Sequence, residues 1–133
     1  MAVYGAPGGG DAWLAYDDSR SHLPEAVWRT EAAGDVPPVM ECGSVAALAA
    51  GVAQGLGQAV LPCYLGDGHP GLVRRTPPVV RREVWMVLHP DLGAVPRVRA
   101  TADALADALT TPAVRARLTG SGRADGGGGQ NLS

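Results

Sequence analysis

Apolar positions along the chain fall into short runs separated by proline and glycine, with longer helical stripes between some of them. The most ordered stretch spans residues 38–62. Val39 to Cys42 is a short extended run that meets Gly43 and Ser44. From Val45 to Gln54 the residues Val45, Leu48, Ala49, Val52 and, just beyond, Leu56 follow helical spacing and form one apolar stripe. Ala46, Ala47, Ala50 and Ala53 favour the helix, and the Ser44 hydroxyl suits its N-cap. Gly51, Gly55 and Gly57 read as stop and turn residues, and Ala59 to Leu61 as a second strand ending at Pro62. Strand, helix, strand in this order predicts a βαβ unit in a parallel sheet with a right-handed crossover.

The flanking chain extends this pattern. Residues 1–11 are glycine-rich and predict a loop lead-in with at most a short extended start at Ala2 to Tyr4. Ala12 to Tyr16 reads as a buried strand closed by Asp17, Asp18 and Ser19. A helix follows from Pro24, with Leu23, Val27 and Trp28 on one face and Gly34 at its end. Beyond Pro62, residues 64–71 predict a loop and Leu72 to Arg74 a short strand. Glu83 to His89 is an unbroken apolar run without alternation, the pattern of a strand buried on both faces. Pro96 opens a long helix with Val98, Ala102, Leu105 and Leu109 on one stripe and an Arg99–Asp103 pair outside. Pro112 interrupts it, Ala113 to Leu118 forms a further turn, and the glycine-rich tail from Thr119 is expected to be disordered. The whole predicts an α/β layer architecture. Trp13, Trp28 and Trp85 are expected in the core or in helix packing.

Composition narrows the function classes. With 133 residues the chain can bury one core. The net charge of −2 gives no support for a nucleic-acid surface. The one arginine-dense stretch, Arg74 to Arg82, reads as solvated charge around a proline loop. The start shows no basic segment followed by an apolar core, and no apolar run reaches the roughly 20 residues of a spanning helix, so a cytoplasmic protein without membrane contact is expected.

Candidate chemistry concentrates where the strands of the βαβ unit end. Ser44 follows a strand and starts a helix, as in a hydrolase nucleophile elbow, but Cys42 and Ala46 stand where that motif needs glycine. Gly51, Gly55 and Gly57 end a helix instead of opening one, which argues against a dinucleotide fingerprint. His22, His69 and His89 have no metal-ligand spacing, and neither a metal nor another cofactor is expected. Cys42 and Cys63 read as buried small hydrophobes, with a pocket or redox-sensing thiol as the second reading.

The series AWLAYDDS, LPEAVW, GSVAALAAGVAQGLGQAVLPCYLGDGHPGLVRR and EVWMVLHPDLGAVPRVRATADAL resembles the C-terminal effector-binding domain of LysR-type transcriptional regulators, over about residues 11–118. The helix–GLG–LP passage and the HPDL…PRVRA passage carry most of the resemblance. Gly93 stands where that family carries an arginine. The resemblance implies a fold like that of type 2 periplasmic binding proteins, two α/β subdomains around a small effector. Residues 12–93 would be mainly the second subdomain, with a mixed, largely parallel sheet. Residues 94–118 would be a helical element returning to the first subdomain, with its stripe exposed or misplaced in that subdomain's absence. The helix-turn-helix of a complete regulator has no counterpart in these residues, so no direct DNA contact is expected. The implied effector-facing positions are Asp17 and Asp18, Gly43 and Ser44, and Pro62, Cys63 and Tyr64, which suit a small organic anion. Self-association is compatible with this reading and catalysis is not expected. The alternatives are a stand-alone small-molecule binding protein and, behind it, a small hydrolase using Ser44.

Overall fold

The computed structural model describes residues 1–121; the expectation for the tail beyond Ser121 lies outside them. Among the described residues five strands and six α-helices follow in the order β1 (Ala2–Gly5), β2 (Leu14–Tyr16), α1 (Pro24–Ala33), β3 (Met40–Cys42), α2 (Val45–Ala53), β4 (Gln58–Leu61), α3 (Cys63–Gly66), β5 (Val73–Arg74), α4 (Pro90–Gly93), α5 (Pro96–Thr110) and α6 (Pro112–Thr119).

β1 lies between β4 and β5 and is antiparallel to both, with Val3 opposite Val60 and Tyr4 opposite Arg74. β2 and β3 form a parallel pair, Leu14 opposite Met40 and Tyr16 opposite Cys42. A parallel bridge between Trp13 and Gln58 joins the two sets, and Gln58 N–H donates to the Ala12 carbonyl at 2.7 Å. The strands therefore run β3, β2, β4, β1, β5, with β1 alone reversed. β3 and β4 share a direction, as the βαβ reading expects, but β2 lies between them.

The lead-in reading of residues 1–11 needs correcting. Residues 2–5 are the central strand, and Ala2, Val3 and Tyr4 are buried. Met1 also accepts from the Val79 and Val80 amides, and Val3 from that of Arg75, so the proline-rich segment closes over this strand.

α2 packs Leu48, Ala49 and Val52 into the core with Leu14, Ala59, Leu61 and Leu72. Its stripe is shorter than expected, because Leu56 lies beyond the helix and is exposed. Gly51 is a packing residue, not a stop: a β-carbon there would lie 2.8 Å from Leu14 Cδ2. α1 begins at Pro24 and ends before Gly34, but its buried residue is Glu25, while Val27 is exposed. Trp13 and Trp28 meet edge to face at 6.3 Å.

Three further expectations fail. Residues 83–89 form no strand, and Trp85 and Val87 are 78% and 88% exposed. An apolar run becomes a central strand only if strands flank it, and among the described residues none does. Residues 63–66 form a helical turn where a loop was expected, as Pro62 starts the turn and its carbonyl accepts from Leu65 and Gly66. Among the described ion pairs Arg99 and Asp103 are not joined. α5 buries Ala102 but leaves Leu105 and Leu109 exposed.

Candidate functional site

Three parallel strands deliver their carboxyl ends to one edge. β2 passes into Asp17 and a 3₁₀ turn at Asp18–Arg20, β3 into Gly43 and Ser44, and β4 into Pro62 and α3. The Asp17 amide donates to the Cys42 carbonyl at 3.3 Å, which ties the first two ends together. A β-carbon on Gly43 would lie 2.9 Å from Asp17 Oδ2, so the carboxylate rests against bare backbone that only glycine leaves open. The other Asp17 oxygen accepts from the Ser19 hydroxyl. Asp18 is exposed, and its carbonyl accepts from the Ser21 amide and hydroxyl.

Ser44 caps α2 as expected: its Oγ accepts from Ala47 N–H at 3.4 Å. Among the described residues no histidine hydrogen-bonds to that hydroxyl. Nor do the described residues hold a cluster of three metal-ligating side chains. Cys63 is buried, and Cys42, half-buried, contacts the Ser44 carbonyl through its sulfur at 3.5 Å.

Beside this edge lies a cleft of about 590 Å³. Pro62, Cys63 and Tyr64 line it, as do Tyr16 and Val45, the neighbours of Asp17 and Ser44. Asp17, Asp18, Gly43 and Ser44 themselves stand outside its lining, so the structure brings only three of the seven candidate residues to the cleft. The others there come from segments outside the candidate set: Met1, both Arg20 and Glu25 around the start of α1, Pro78 and Val80 to Val84, and Leu118 and Thr119 at the end of α6. Arg81 and Arg82 belong to the stretch first read as plain solvated charge. Its density of arginine was the available signal; what was not legible is that the chain folds it back across the edge.

Arg20, Arg81 and Arg82 line the cleft together with Glu25 and Glu83. Arg82 is engaged by the buried Glu25 at 3.1 Å. Among the described residues neither Arg20 nor Arg81 has an acidic partner within ion-pair distance. Arg20 lies over the Tyr16 ring at 5.7 Å, an arrangement that holds a guanidinium without neutralising it. Burial, and then the Glu25 charge, push the Tyr16 phenol above its usual range, so it stays a neutral hydrogen-bond donor.

A second polar cluster secures the fold behind this edge. Tyr4 O–H donates to Asp67 Oδ1 at 2.8 Å, and Arg74 Nε donates to the same oxygen at 3.0 Å. Arg74 also pairs with Asp67 Oδ2 and donates to the Gly120 carbonyl at 2.8 Å, joining β1, β5, the end of α3 and the end of α6. Burial raises the Tyr4 phenol, the Asp67 hydrogen bond raises it further, and Arg74 opposes both. Burial alone would lower Arg74, but its bonds to Asp67 and Tyr4 win and keep it a cation.

Parallel strands that carry loops and a helix N-terminus to one charged cleft are the arrangement by which α/β domains hold small ligands. The sequence gives that class its family. A family model for the LysR substrate binding domain matches residues 9–110, and the chain belongs to this family. Domains of this family have a periplasmic-binding-protein-like α/β fold and form the effector-binding part of LysR-type transcription regulators. No curated protein and no solved structure matches the sequence. No helix among the described residues is long and apolar enough to cross a membrane.

Proposed function

We propose that this chain senses a small organic anion for a LysR-type transcription regulator, and that residues 12–93 are mainly the second subdomain of its effector-binding domain. The observation that carries the reading is the cleft beside the ends of β2 and β4, with Arg20 and Arg81 lining it and no described carboxylate paired to either. In this reading Pro62, Cys63 and Tyr64 shape one end of the pocket. Asp17, Asp18, Gly43 and Ser44 lie one layer out, where they meet a ligand only when a facing first subdomain closes over the edge. The mechanism is a population shift: the effector binds the closed arrangement better and biases an attached assembly toward it. Residues 94–118 then serve as the helical return to that first subdomain, consistent with the exposure of Leu105 and Leu109.

The test is titration of small mono- and dicarboxylates into the chain, followed by calorimetry and thermal melting. One wall of a clamp binds at best in the millimolar range, and adding a first subdomain tightens binding by orders of magnitude. Arg20→Gln and Arg81→Gln each weaken the bound state. Micromolar binding by the chain alone overturns the half-clamp assignment and favours a stand-alone binding protein. Indifference to both arginine substitutions overturns the anion assignment.

A further inference from the structure

We propose that Glu25 sets the affinity of the cleft for anions: its carboxylate withholds Arg82 from a ligand, and Arg29, one turn along α1, takes that carboxylate over when an anion claims Arg82. The inference rests on the anion reading above. Arg82 lines the cleft with its side chain 49% exposed, whereas Glu25 is 1% exposed. A single contact joins them, from Arg82 Nη1 to Glu25 Oε1 at 3.1 Å. The other oxygen, Glu25 Oε2, is buried and has no hydrogen-bond partner among the described residues. Arg29 Nε is buried and unpartnered among them in the same way. Glu25 and Arg29 line one void of about 10 Å³, together with Tyr16 and with Leu48 and Val60 of the core. Tyr16 and Glu25 line the cleft as well, so they stand between it and the void.

A buried carboxylate needs a cation and needs its lone pairs filled. Arg82 does this for Oε1 alone. Its guanidinium is half in water, where a ligand carboxylate competes for it and offers a two-pronged grip that the single Glu25 contact lacks. Glu83, the other acid on the cleft, accepts from the Trp85 indole N–H at 3.0 Å, and among the described ion pairs Glu25 is the acid that holds Arg82. Glu25 cannot release Arg82 if its own charge is then left buried and uncompensated. Arg29 removes that obstacle. It follows Glu25 by four residues in α1, with the acid N-terminal to the base, the better order for such a pair. Its Nη1 and Nη2 already donate to the Val36 carbonyl at 3.3 Å and the Thr30 hydroxyl at 3.4 Å, which leaves Nε to receive the carboxylate. The void gives room of about one water molecule into which the carboxylate can turn. Anion binding and the exchange of Glu25 from Arg82 to Arg29 are therefore one step.

The test uses the 133-residue chain with succinate as the probe, at an ionic strength held constant with sodium chloride. Arg82→Gln weakens succinate binding about tenfold, and Glu25→Gln, which keeps the shape and removes the charge, tightens it about threefold. Arg29→Gln weakens it about threefold in the natural chain and has no effect in the Glu25→Gln background, a coupling that a merely structural arginine does not give. In proton–nitrogen spectra the Arg29 Nε–H resonance moves as succinate is added, and stays in place in Glu25→Gln. Melting temperatures show which variants fold; if Glu25→Gln does not, the Arg29 resonance in the natural chain decides. Unchanged affinity in Arg82→Gln, a static Arg29 resonance, or an Arg29→Gln effect of equal size in both backgrounds overturns the proposal. If Arg20→Gln and Arg81→Gln still weaken succinate in that case, the anion reading stands without it. No succinate binding in the tens of millimolar range overturns the anion reading and this inference together.

Discussion

Replacing Gly57 by alanine should be among the most damaging single-methyl additions in this protein. Gly57 ends the turn between α2 and β4 with φ +154°. Its missing side chain faces the backbone of the segment before β2. A β-carbon there would collide with the Ala12 carbonyl oxygen, lie 2.8 Å from the Ala12 carbonyl carbon, and lie 3.0 Å from Leu14 Cδ1. The two nearest are backbone atoms, which cannot swing aside as a side-chain end can. The obstructing oxygen is also the acceptor of the 2.7 Å bond from Gln58 N–H, the join between the β2–β3 pair and the rest of the sheet.

The magnitude follows from two contributions. Holding an L-residue in this backbone region costs about 1–2 kcal/mol. Pushing the Ala12 carbonyl away shifts the backbone before β2 and strains or breaks its bond from Gln58 N–H, at about 1–3 kcal/mol. Together they give about 2–5 kcal/mol, against a total of roughly 5–15 kcal/mol for a domain of this kind. At about 3–5 °C per kcal/mol for a chain of this length, the melting temperature falls by roughly 6–25 °C. Gly55→Ala is the control. Gly55 has φ +81° but nothing within 4 Å of its virtual β-carbon, so only the backbone cost, about 1–2 kcal/mol, applies. Urea denaturation with circular dichroism measures both variants. If Gly57→Ala costs no more than Gly55→Ala, the claim that the Ala12 contact locks the two parts of the sheet is wrong.

Three further outcomes are expected. Ser44→Ala loses the α2 cap and costs about 0.5–1 kcal/mol by chemical denaturation, the low end for a cap because the bond is 3.4 Å long. The Tyr4 phenol is raised in the folded protein, so its contribution is complete below the unfolded value of about 10 and is lost as pH climbs past it, when the unfolded chain ionises first. Denaturation midpoints should therefore decline above about pH 10, and Tyr4→Phe should make that decline shallower, with Tyr16, also raised, supplying part of what remains. With a thiol reagent, Cys42 should label in the native state while Cys63 waits for unfolding; protection of both would end the case for a reactive thiol at the strand ends.

How far the sequence could be read depended on where each element finds its partners. α2 was legible to within a residue because its cap, its stripe and its closing turn are all local. α1 was equally clear in its bounds, from Pro24 to Gly34, but not in its facing. The inward side chain is Glu25, and what makes a buried carboxylate tolerable there is Arg82, 57 positions away in sequence. No helical periodicity can announce a partner at that distance. β1 was underrated for a related reason. Its four residues, Ala2 to Gly5, are too few to show alternation, and its central place comes entirely from β4 and β5.

Residues 83–89 failed in the opposite sense, and the failure is informative. Their pattern is that of a strand with neighbours on both sides, and the physics of that pattern does not change because the described residues supply no neighbour. The same backbone groups that β1 satisfies through β4 and β5 are left to water from Arg81 to Leu88. Burying five adjacent apolar side chains is worth several kcal/mol at about 25 cal/mol per Å², which sets a standing drive toward any surface that completes the ladder. Arg81 to Val84 line the cleft as well. Whatever strand pairs with this segment therefore also fixes one side of the ligand site, so pairing and ligand affinity should be linked, each strengthening the other if the paired arrangement is the one that holds the anion.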